Sequence, residues 1–270
     1  MLTGAMAARK KDGTIYYRSS ITVKNRHISL GSFATEKQAH KAYLEAKRLL
    51  EGKRGIEAYE HAKERMLSFD RWVSLVNFRD HGMYIKTPIY LRSKYFEYYL
   101  APDSVLKFDV DDLFYYSKHT IQRRDGYLFV ADYGMQVNIM SRYGIHNHAV
   151  LGRDYEFANG DPTDYRYGNI ILRNHFHGVS YESHYGKMVY KARIHIVSEY
   201  VIGSYEDEIT AAIAYNKAVD LLKKQGISRA FTENYVEISP KDYARIYSEV
   251  KISSKIRHFQ GKIVAKSKKN

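Results

Sequence analysis

The sequence predicts an α+β protein in which two similar units, each made of two or three short antiparallel strands and one helix, flank a third region. Three observations support this prediction. A four-residue motif recurs at an offset of 172 residues, an apolar pattern of helical period follows each copy, and a two-residue alternation precedes each copy. The 270 residues provide enough chain for two or three small domains.

The repeated motif is Leu-Gly-Ser-Phe at 30–33 and Ile-Gly-Ser-Tyr at 202–205. Acidic residues at Glu36 and Glu208 favour a helix start after each copy, and Gly52 and Gly226 favour the stops. Between these signals, apolar residues recur every three or four positions and predict one buried helix face. They are Ala39, Ala42, Tyr43, Ala46, Leu49 and Leu50 in the first unit, and Ala211, Ala214, Tyr215, Ala218, Leu221 and Leu222 in the second.

The strand before each motif alternates apolar and polar residues. Ile21 and Val23 alternate in the segment 17–23, and Ile194 lies between Arg193 and His195 in the segment 190–196. Because successive side chains of a strand point to opposite faces, one face of each sheet is predicted to pack on the helix. The basic residues then point to the other face, which stays open to water or a ligand.

The remaining segments are more variable. We predict a linker helix from Ile56 to Ser74, anchored by Met66, Phe69 and Trp72, and short strands within 105–140, of which 127–130 is the clearest. The segment 251–270 contains seven Lys or Arg and no Asp or Glu, which predicts a partly disordered basic tail. The predicted divisions are 1–52, 53–94, 95–175, 176–250 and 251–270.

Composition narrows the function. A formal charge of +13 predicts a polyanionic partner, with nucleic acid favoured over a membrane surface. The chain has no cysteine, which excludes disulfides, thiolate nucleophiles and cysteine-ligated zinc. It has no apolar run of about 20 residues and no signal-peptide pattern, so we expect no membrane span or export signal.

The two units resemble the plant ethylene-response-factor type of DNA-binding domain, a three-stranded sheet packed on one helix. The second unit carries the pattern in His177-Gly178-Val179, Ala192-Arg193-Ile194, the motif at 202–205 and Ala-Ala-Ile-Ala-Tyr at 211–215. The first unit keeps the motif and Ala42-Tyr43 but lacks the Gly-Val first strand, which predicts a smaller or shifted sheet. The resemblance implies duplex DNA as the partner, with each sheet lying in the major groove.

The resemblance also implies which residues face DNA. Arg193 and His195, with Lys191 one step back, flank the core isoleucine of the second unit. Third-strand positions that face DNA carry Glu199 and Val201 in that unit, and Lys187 is placed for phosphate contacts. The complete predicted DNA-binding set is Arg9, Lys11, Arg18, Ser20, Thr22, Lys24, Arg26, His27, Ser29, His177, Ser180, Lys187, Lys191, Arg193 and His195. The alternative is that these residues only form the solvated face of a sheet.

The middle region resembles the nuclease domain of HNH homing endonucleases of phages and mobile introns, in which paired domains of this type also occur. The matching segments are Phe-Asp-Val-Asp-Asp at 108–112, Asp-Gly-Tyr at 125–127, and the stretch from Asn-Gly-Asp at 159–161 to Asn169-Ile170. The resemblance therefore implies a degenerate HNH-like α+β domain between the two sheet–helix units.

The departures from the nuclease pattern concern catalysis. The family's Asp-His pair, which binds the cation and activates water, falls on Glu156 and Phe157, and its upstream His-Arg pair falls on Asn138-Ile139. Phenylalanine cannot accept a proton. Few residues separate Asn169 from the second unit, so the helix with a further metal ligand is missing. We expect no catalytic residue and no metal or other cofactor.

Two weaker metal sets remain open as alternatives: His146, His148, His175 and His177, or Asp109, Asp111 and Asp112. The sequence as a whole predicts a non-catalytic, sequence-specific DNA-binding protein, a transcriptional regulator derived from a homing endonuclease. We expect it in the cytoplasm, at the nucleoid of a prokaryote or encoded by a phage. A monomer suffices for binding, and the transcription machinery is the candidate protein partner. The alternatives are an active metal-dependent nicking endonuclease and an RNA-binding architectural protein.

Overall fold

The computed structural model describes residues 1–62, 65–145, 149–227 and 229–259. The chain divides into two compact lobes. The first lobe comprises residues 1–139 and 157–170, and the second lobe comprises residues 140–156 and 171–270. Both helices and small antiparallel three-stranded sheets are present, so the predicted α+β class is confirmed. Within the described residues, none of the helices is long and apolar enough to cross a membrane.

The first lobe begins with the first sheet–helix unit. Its strands β1 (Ala5–Arg9), β2 (Ile15–Val23) and β3 (Arg26–Phe33) form an antiparallel sheet in this order, and α1 (Glu36–Glu51) follows. Thr35 caps the helix, since its hydroxyl accepts from the Gln38 N–H while the Gln38 side chain accepts from the Thr35 N–H. Ile28, Leu30, Ala42 and Leu49 are buried between sheet and helix.

The prediction of a smaller or shifted first sheet is wrong, because β1 is present and pairs along its whole length with β2. Gly4-Ala5 takes the place that Gly178-Val179 holds in the second unit. Gly4 has a φ of +77° and Gly178 a φ of +72°, and each lies against a helix tyrosine, Tyr43 or Tyr215. The local geometry of the missing motif is therefore kept, although the valine is not.

The linker prediction needs correction as well. Among the described residues of the predicted span, a 3₁₀ turn, Glu57–Tyr59, is the only early helical element, and the helix α2 runs later, over Phe69–His81. Ser68 sets this start, because its hydroxyl accepts from the Arg71 N–H. The Glu45 carboxylate accepts from the backbone N–H groups of Met66 and Leu67 at 2.9 and 3.0 Å and holds them outside the helix. Trp72 is buried, as predicted for an anchor.

The rest of the first lobe contains two further three-stranded antiparallel sheets. The segment 127–130 lies within a strand, so its strand prediction is confirmed. The elements are β4 (Ile89–Leu91), β5 (Tyr95–Ala101), β6 (Ser104–Asp109), α3 (Leu113–Tyr116), β7 (Ile121–Arg124), β8 (Tyr127–Asp132) and β9 (Met135–Asn138). Two short strands, β10 (Tyr155–Phe157) and β11 (Ile170–Leu172), pair with each other. The boundary between the two lobes falls within each of these strands.

The second lobe is built around the second sheet–helix unit. Strands β12 (Val179–His184), β13 (Lys187–His195) and β14 (Glu199–Tyr205) form the sheet, and α4 (Glu208–Lys224) covers it. Helices α5 (Pro240–Glu249) and α6 (Ser254–Arg257) complete the core around α4. Ile252 and Ile256 are buried, so the first part of the predicted basic tail is packed, and residues 260–270 lie outside the described residues.

Candidate nucleic-acid interface

The second sheet presents a polar open face opposite α4. Ala192 and Ile194 of β13 are buried against the helix, and Lys191 and Arg193 alternate with them on the other side. A β-bulge between Ala192 and Arg193 shifts the pairing with β14, so that Ala192 lies opposite Gly203 but Arg193 lies opposite Val201. The extra residue of the bulge is Ile202 on β14, which is buried. Ala192 and Ile194 are two residues apart on β13 and point inward by ordinary strand alternation.

Arg193 is held on this face by three hydrogen bonds. Its Nη1 donates to Ser180 Oγ at 2.8 Å, and its Nη2 donates to Glu182 Oε1 and Oε2 at 2.7 and 2.9 Å. Lys191 Nζ lies 3.4 Å from the same carboxylate. The guanidinium is thereby fixed in one orientation, as a charge-assisted pair of this geometry requires.

Glu182 was not part of the predicted set. Burial raises the pKa of its carboxyl, but the hydrogen bonds and charges of Arg193 and Lys191 outweigh burial and leave the pKa below its ordinary value. The carboxylate is therefore charged at neutral pH. The alternation of Ser180 and Glu182 along β12 is the sequence signal that could have placed it on the open face.

The remaining predicted residues of this unit have different surroundings. His195 is exposed and lies opposite Glu199, and Lys187 is exposed at the start of β13. His177 packs its ring edge-on against Tyr215, with ring centroids 5.4 Å apart. His177, Arg193 and His195 nevertheless line one cavity of about 190 Å³, together with Arg153 and Asp154.

The first sheet has the same scaffold but a different charge pattern. Its strands β1–β3 contain no Asp or Glu, whereas β12–β14 contain Glu182 and Glu199. A β-bulge between Ser19 and Ser20 matches the bulge in the second sheet. The open face of the first sheet therefore carries cationic and neutral polar groups without a carboxylate of its own strands.

Within the first sheet, Arg18 is positioned by Tyr16. Arg18 Nη2 donates to the Tyr16 hydroxyl at 2.8 Å, and its guanidinium lies 5.6 Å from the ring centroid. Thr22 Oγ1 and His27 Nδ1 are 3.5 Å apart on paired positions. Ser20, half-buried, and the exposed Ser29 are the other predicted positions on this side. Arg9 is exposed but shares the face of Ser19, whose hydroxyl donates to the Ala39 carbonyl of α1, and Lys11 is exposed in the turn after β1.

Lys24 and Arg26 flank aromatic rings rather than extending freely. The Lys24 Nζ is 5.9 Å from the Phe78 ring centroid, and the Arg26 guanidinium is 5.0 Å from that of Tyr84. Both residues remain exposed. Their charges are thus available to a phosphate, but their side chains are supported by apolar contacts that the sequence did not predict.

The positions at which the nuclease resemblance predicted lost catalytic groups contribute to the fold. Phe157 is buried, and its ring meets Tyr165 edge-on at 5.7 Å. Asn169 is buried and bridges two backbone groups, accepting from the Asn159 N–H at 2.9 Å and donating to the Asp164 carbonyl at 2.8 Å. Glu156 accepts from Arg173 at 2.5 Å.

The carboxylate that follows the Asn-Gly turn is fully engaged by protein donors. Asp164 accepts from Arg166 Nε and Nη2 at 2.8 and 2.6 Å and from Asn159 Nδ2 at 2.9 Å. The hydrogen bond from Arg166 is the largest effect on the Asp164 pKa, which lies below its ordinary value. Arg166 thus supplies the positive charge that balances the Asp164 carboxylate, in the place that a metal ion would otherwise take.

The described members of the two alternative metal sets have other partners or do not converge on a metal site. His146 and His148 lie outside the described residues, His175 Nδ1 is 2.9 Å from Glu208 Oε2, and the Asp109 carboxylate accepts from the Tyr167 N–H at 2.7 Å. Among the described residues, no group of three or more His, Asp or Glu side chains is placed to hold a metal ion.

No protein-family model matches this chain, and comparison with curated proteins and with solved structures likewise finds no match.

Proposed function

We propose that this protein binds duplex DNA sequence-specifically through the open faces of its two sheet–helix units and does not cleave it. The observation that carries the proposal is the first sheet, whose three strands present Arg18 with neutral polar neighbours and contain no acidic residue. A polyanion binds favourably to such a face, because its cations are not offset by carboxylates of the same strands, and a β-ribbon fits the major groove.

Arg193 supports the proposal in the second sheet. Its pairing with Glu182 and Ser180 uses Nη1 and Nη2 donors, while the Nε lies 4.0 Å from Glu199. A guanidinium carries five N–H donors, so hydrogens on Nε and Nη1 remain beyond these three bonds. They lie on different edges of the group, and each can therefore donate singly to an acceptor on a base edge. The fixed orientation lowers the entropy lost when such a contact forms.

The role that follows is occupancy of a two-part site by one chain. Each sheet reads its own segment, and exposed cations such as Lys11 and Lys187 contact phosphates. A single copy suffices, and bound protein acts as a transcriptional regulator, with the transcription machinery as the protein partner. A regulator of this kind, derived from a homing endonuclease, belongs at the nucleoid of a prokaryotic or phage-infected cell.

Selection of bound duplexes from a random-sequence pool tests the proposal. We expect one preferred sequence and an affinity that falls steeply with salt, because binding releases counterions from DNA. Arg193→Ala and Arg18→Ala should each relax the preference at one base pair, at a cost of about 1–3 kcal/mol. Lys187→Ala should weaken all sequences alike.

Lys224→Ala is the matched control, because Lys224 is exposed at the end of α4, away from the open face. It should leave the preference unchanged and the affinity nearly so. No preferred duplex, or tighter binding to single-stranded RNA than to the selected duplex, would contradict the proposal. Strand breaks in the selected duplex with magnesium or manganese would show that the protein is a nuclease instead.

A further inference from the structure

The hairpin between β12 and β13 ends in an unusual residue. Its two-residue turn is Tyr185-Gly186, with φ values of +50° and +78°. A turn with two positive φ angles suits the right-handed twist of a hairpin, and Asn, Asp or Gly are the residues that adopt it easily. Tyrosine is disfavoured there, because its Cβ crowds the backbone in the left-handed region.

The fold gains little from this tyrosine. The side chain of Tyr185 is 97% exposed, so it adds almost no buried apolar surface. Its ring lies against that of His184, with centroids 4.5 Å apart and planes tilted by 38°. The tip of the hairpin therefore presents two adjacent aromatic rings to solvent, at a position where a smaller residue would fold more easily.

The hairpin tip lies at one end of the open face. Strand β13 leads from Lys187, beside the turn, to Arg193 and His195. At roughly 3.3 Å per residue, the turn is about 23 Å from Arg193 along the strand. With the strand lying along the major groove and Arg193 at the base edges, this distance corresponds to about seven base pairs at about 3.4 Å each. The tip therefore lies at the edge of the segment that the open face covers.

We propose that the Tyr185 ring stacks on a base step that flanks the segment read by Lys191, Arg193 and His195, and opens that step. The inference rests on the proposed DNA binding and adds a contact that requires no hydrogen-bond pattern. Every base offers an aromatic face, so this contact contributes affinity with little sequence preference. An inserted side chain also kinks the duplex, which lets more of the protein contact it. Lys187 supplies a neighbouring charge for the phosphates.

The test uses the full chain and its selected duplex, with 2-aminopurine placed in turn at each position on both sides of the preferred segment. Its fluorescence rises when stacking is disturbed. We expect a rise at one flanking step with the wild-type protein and with Tyr185→Phe, and none with Tyr185→Ala or Tyr185→Asn. The latter two should bind the duplex about 5- to 160-fold more weakly.

Tyr185→Asn separates this role from folding. Asn is favoured in the turn, so the variant should unfold at the same or a higher urea concentration than the wild type while it loses the fluorescence signal. Tyr133→Asn is the matched control. Tyr133 has a φ of +46° in the β8–β9 turn and is 96% exposed, but it follows Asp132 rather than a cation or a histidine. It should bind the duplex like the wild type.

The outcomes distinguish this inference from the proposed function. A preferred duplex that binds Tyr185→Ala as tightly as the wild type, or that shows no flanking fluorescence change, would overturn the stacking role and leave DNA binding intact. Failure of the wild type to select any duplex would overturn both.

Discussion

Gly178 lies so close to the ring of Tyr215 that a Cβ on the glycine would come within 2.5 Å of Tyr215 Cε2, and also of the Arg193 carbonyl oxygen. The same relationship joins Gly4 to Tyr43 in the first unit, at the same place before the first strand. In each unit the chain can enter the sheet close to the helix only because the residue has no side chain.

Gly178→Ala should therefore destabilise the second unit by about 2–4 kcal/mol, the sum of about 1–2 kcal/mol for a left-handed alanine and of a comparable steric cost. Urea denaturation followed by circular dichroism measures the change. Gly186→Ala is the control, because Gly186 has a φ of +78° but open space where a Cβ would be. It should lose only the conformational part. Equal losses would show that the contact with Tyr215 does not matter.

The pairing of Arg193 with Glu182 should be measurable as a coupling in stability. Both side chains are about one quarter to one third exposed, at 24% and 31%, so solvent screens the pair and we expect about 1 kcal/mol. A double-mutant cycle with Glu182→Gln and Arg193→Gln, followed by urea denaturation, gives this value. Additive single effects would mean that Arg193 is not held by Glu182 in solution, and the pre-orientation argued for base reading would fail.

Asp161 should make the stability of the first lobe, residues 1–139 and 157–170, sensitive to acid. Hydrogen bonds from Thr163, and then from Lys107, lower its pKa from 3.8 to about 2. A carboxyl whose pKa is lower in the folded than in the unfolded state stabilises the fold fully above pH 3.8 and loses that effect as the pH falls towards 2. The stability advantage of the wild type over Asp161→Asn should therefore shrink across this interval. A difference that stays constant between pH 5 and pH 2 would contradict the assignment.

Introducing a histidine at position 157 should not create a nuclease. Phe157 is buried against Tyr165, so Phe157→His should lower the free energy of unfolding by about 1–3 kcal/mol. The Asp164 carboxylate stays bound to Arg166 and Asn159, which leaves a cation no site there. A plasmid-nicking assay with magnesium or manganese is expected to show no cleavage by this variant. Phe157→Leu serves as the packing control, and nicking by Phe157→His alone would show that the residues around position 157 can form a catalytic centre.

The sequence by itself determined the repeated sheet–helix units. Periods of 2 and 3.6 residues are local properties of strand and helix, so the alternation around Ile21 and Ile194 and the apolar helix positions could be read directly. The caps at Thr35 and Asp207 are equally local, because each side chain bonds a backbone group three residues ahead. These features fix which face of each element is buried, before any partner is known.

Only the tertiary structure decided which side chains meet. The pairing of Glu182 with Arg193 depends on strand register and on a bulge, and the delayed start of α2 depends on a carboxylate of α1 that holds residues 66 and 67. The match of Gly4 to Gly178 depends on a helix tyrosine about 40 residues away. These contacts join residues distant in sequence, and no short-range pattern encodes them. The charge of +13 therefore predicted a polyanion, whereas the register of two sheets decided which of its cations are held by a carboxylate and which are not.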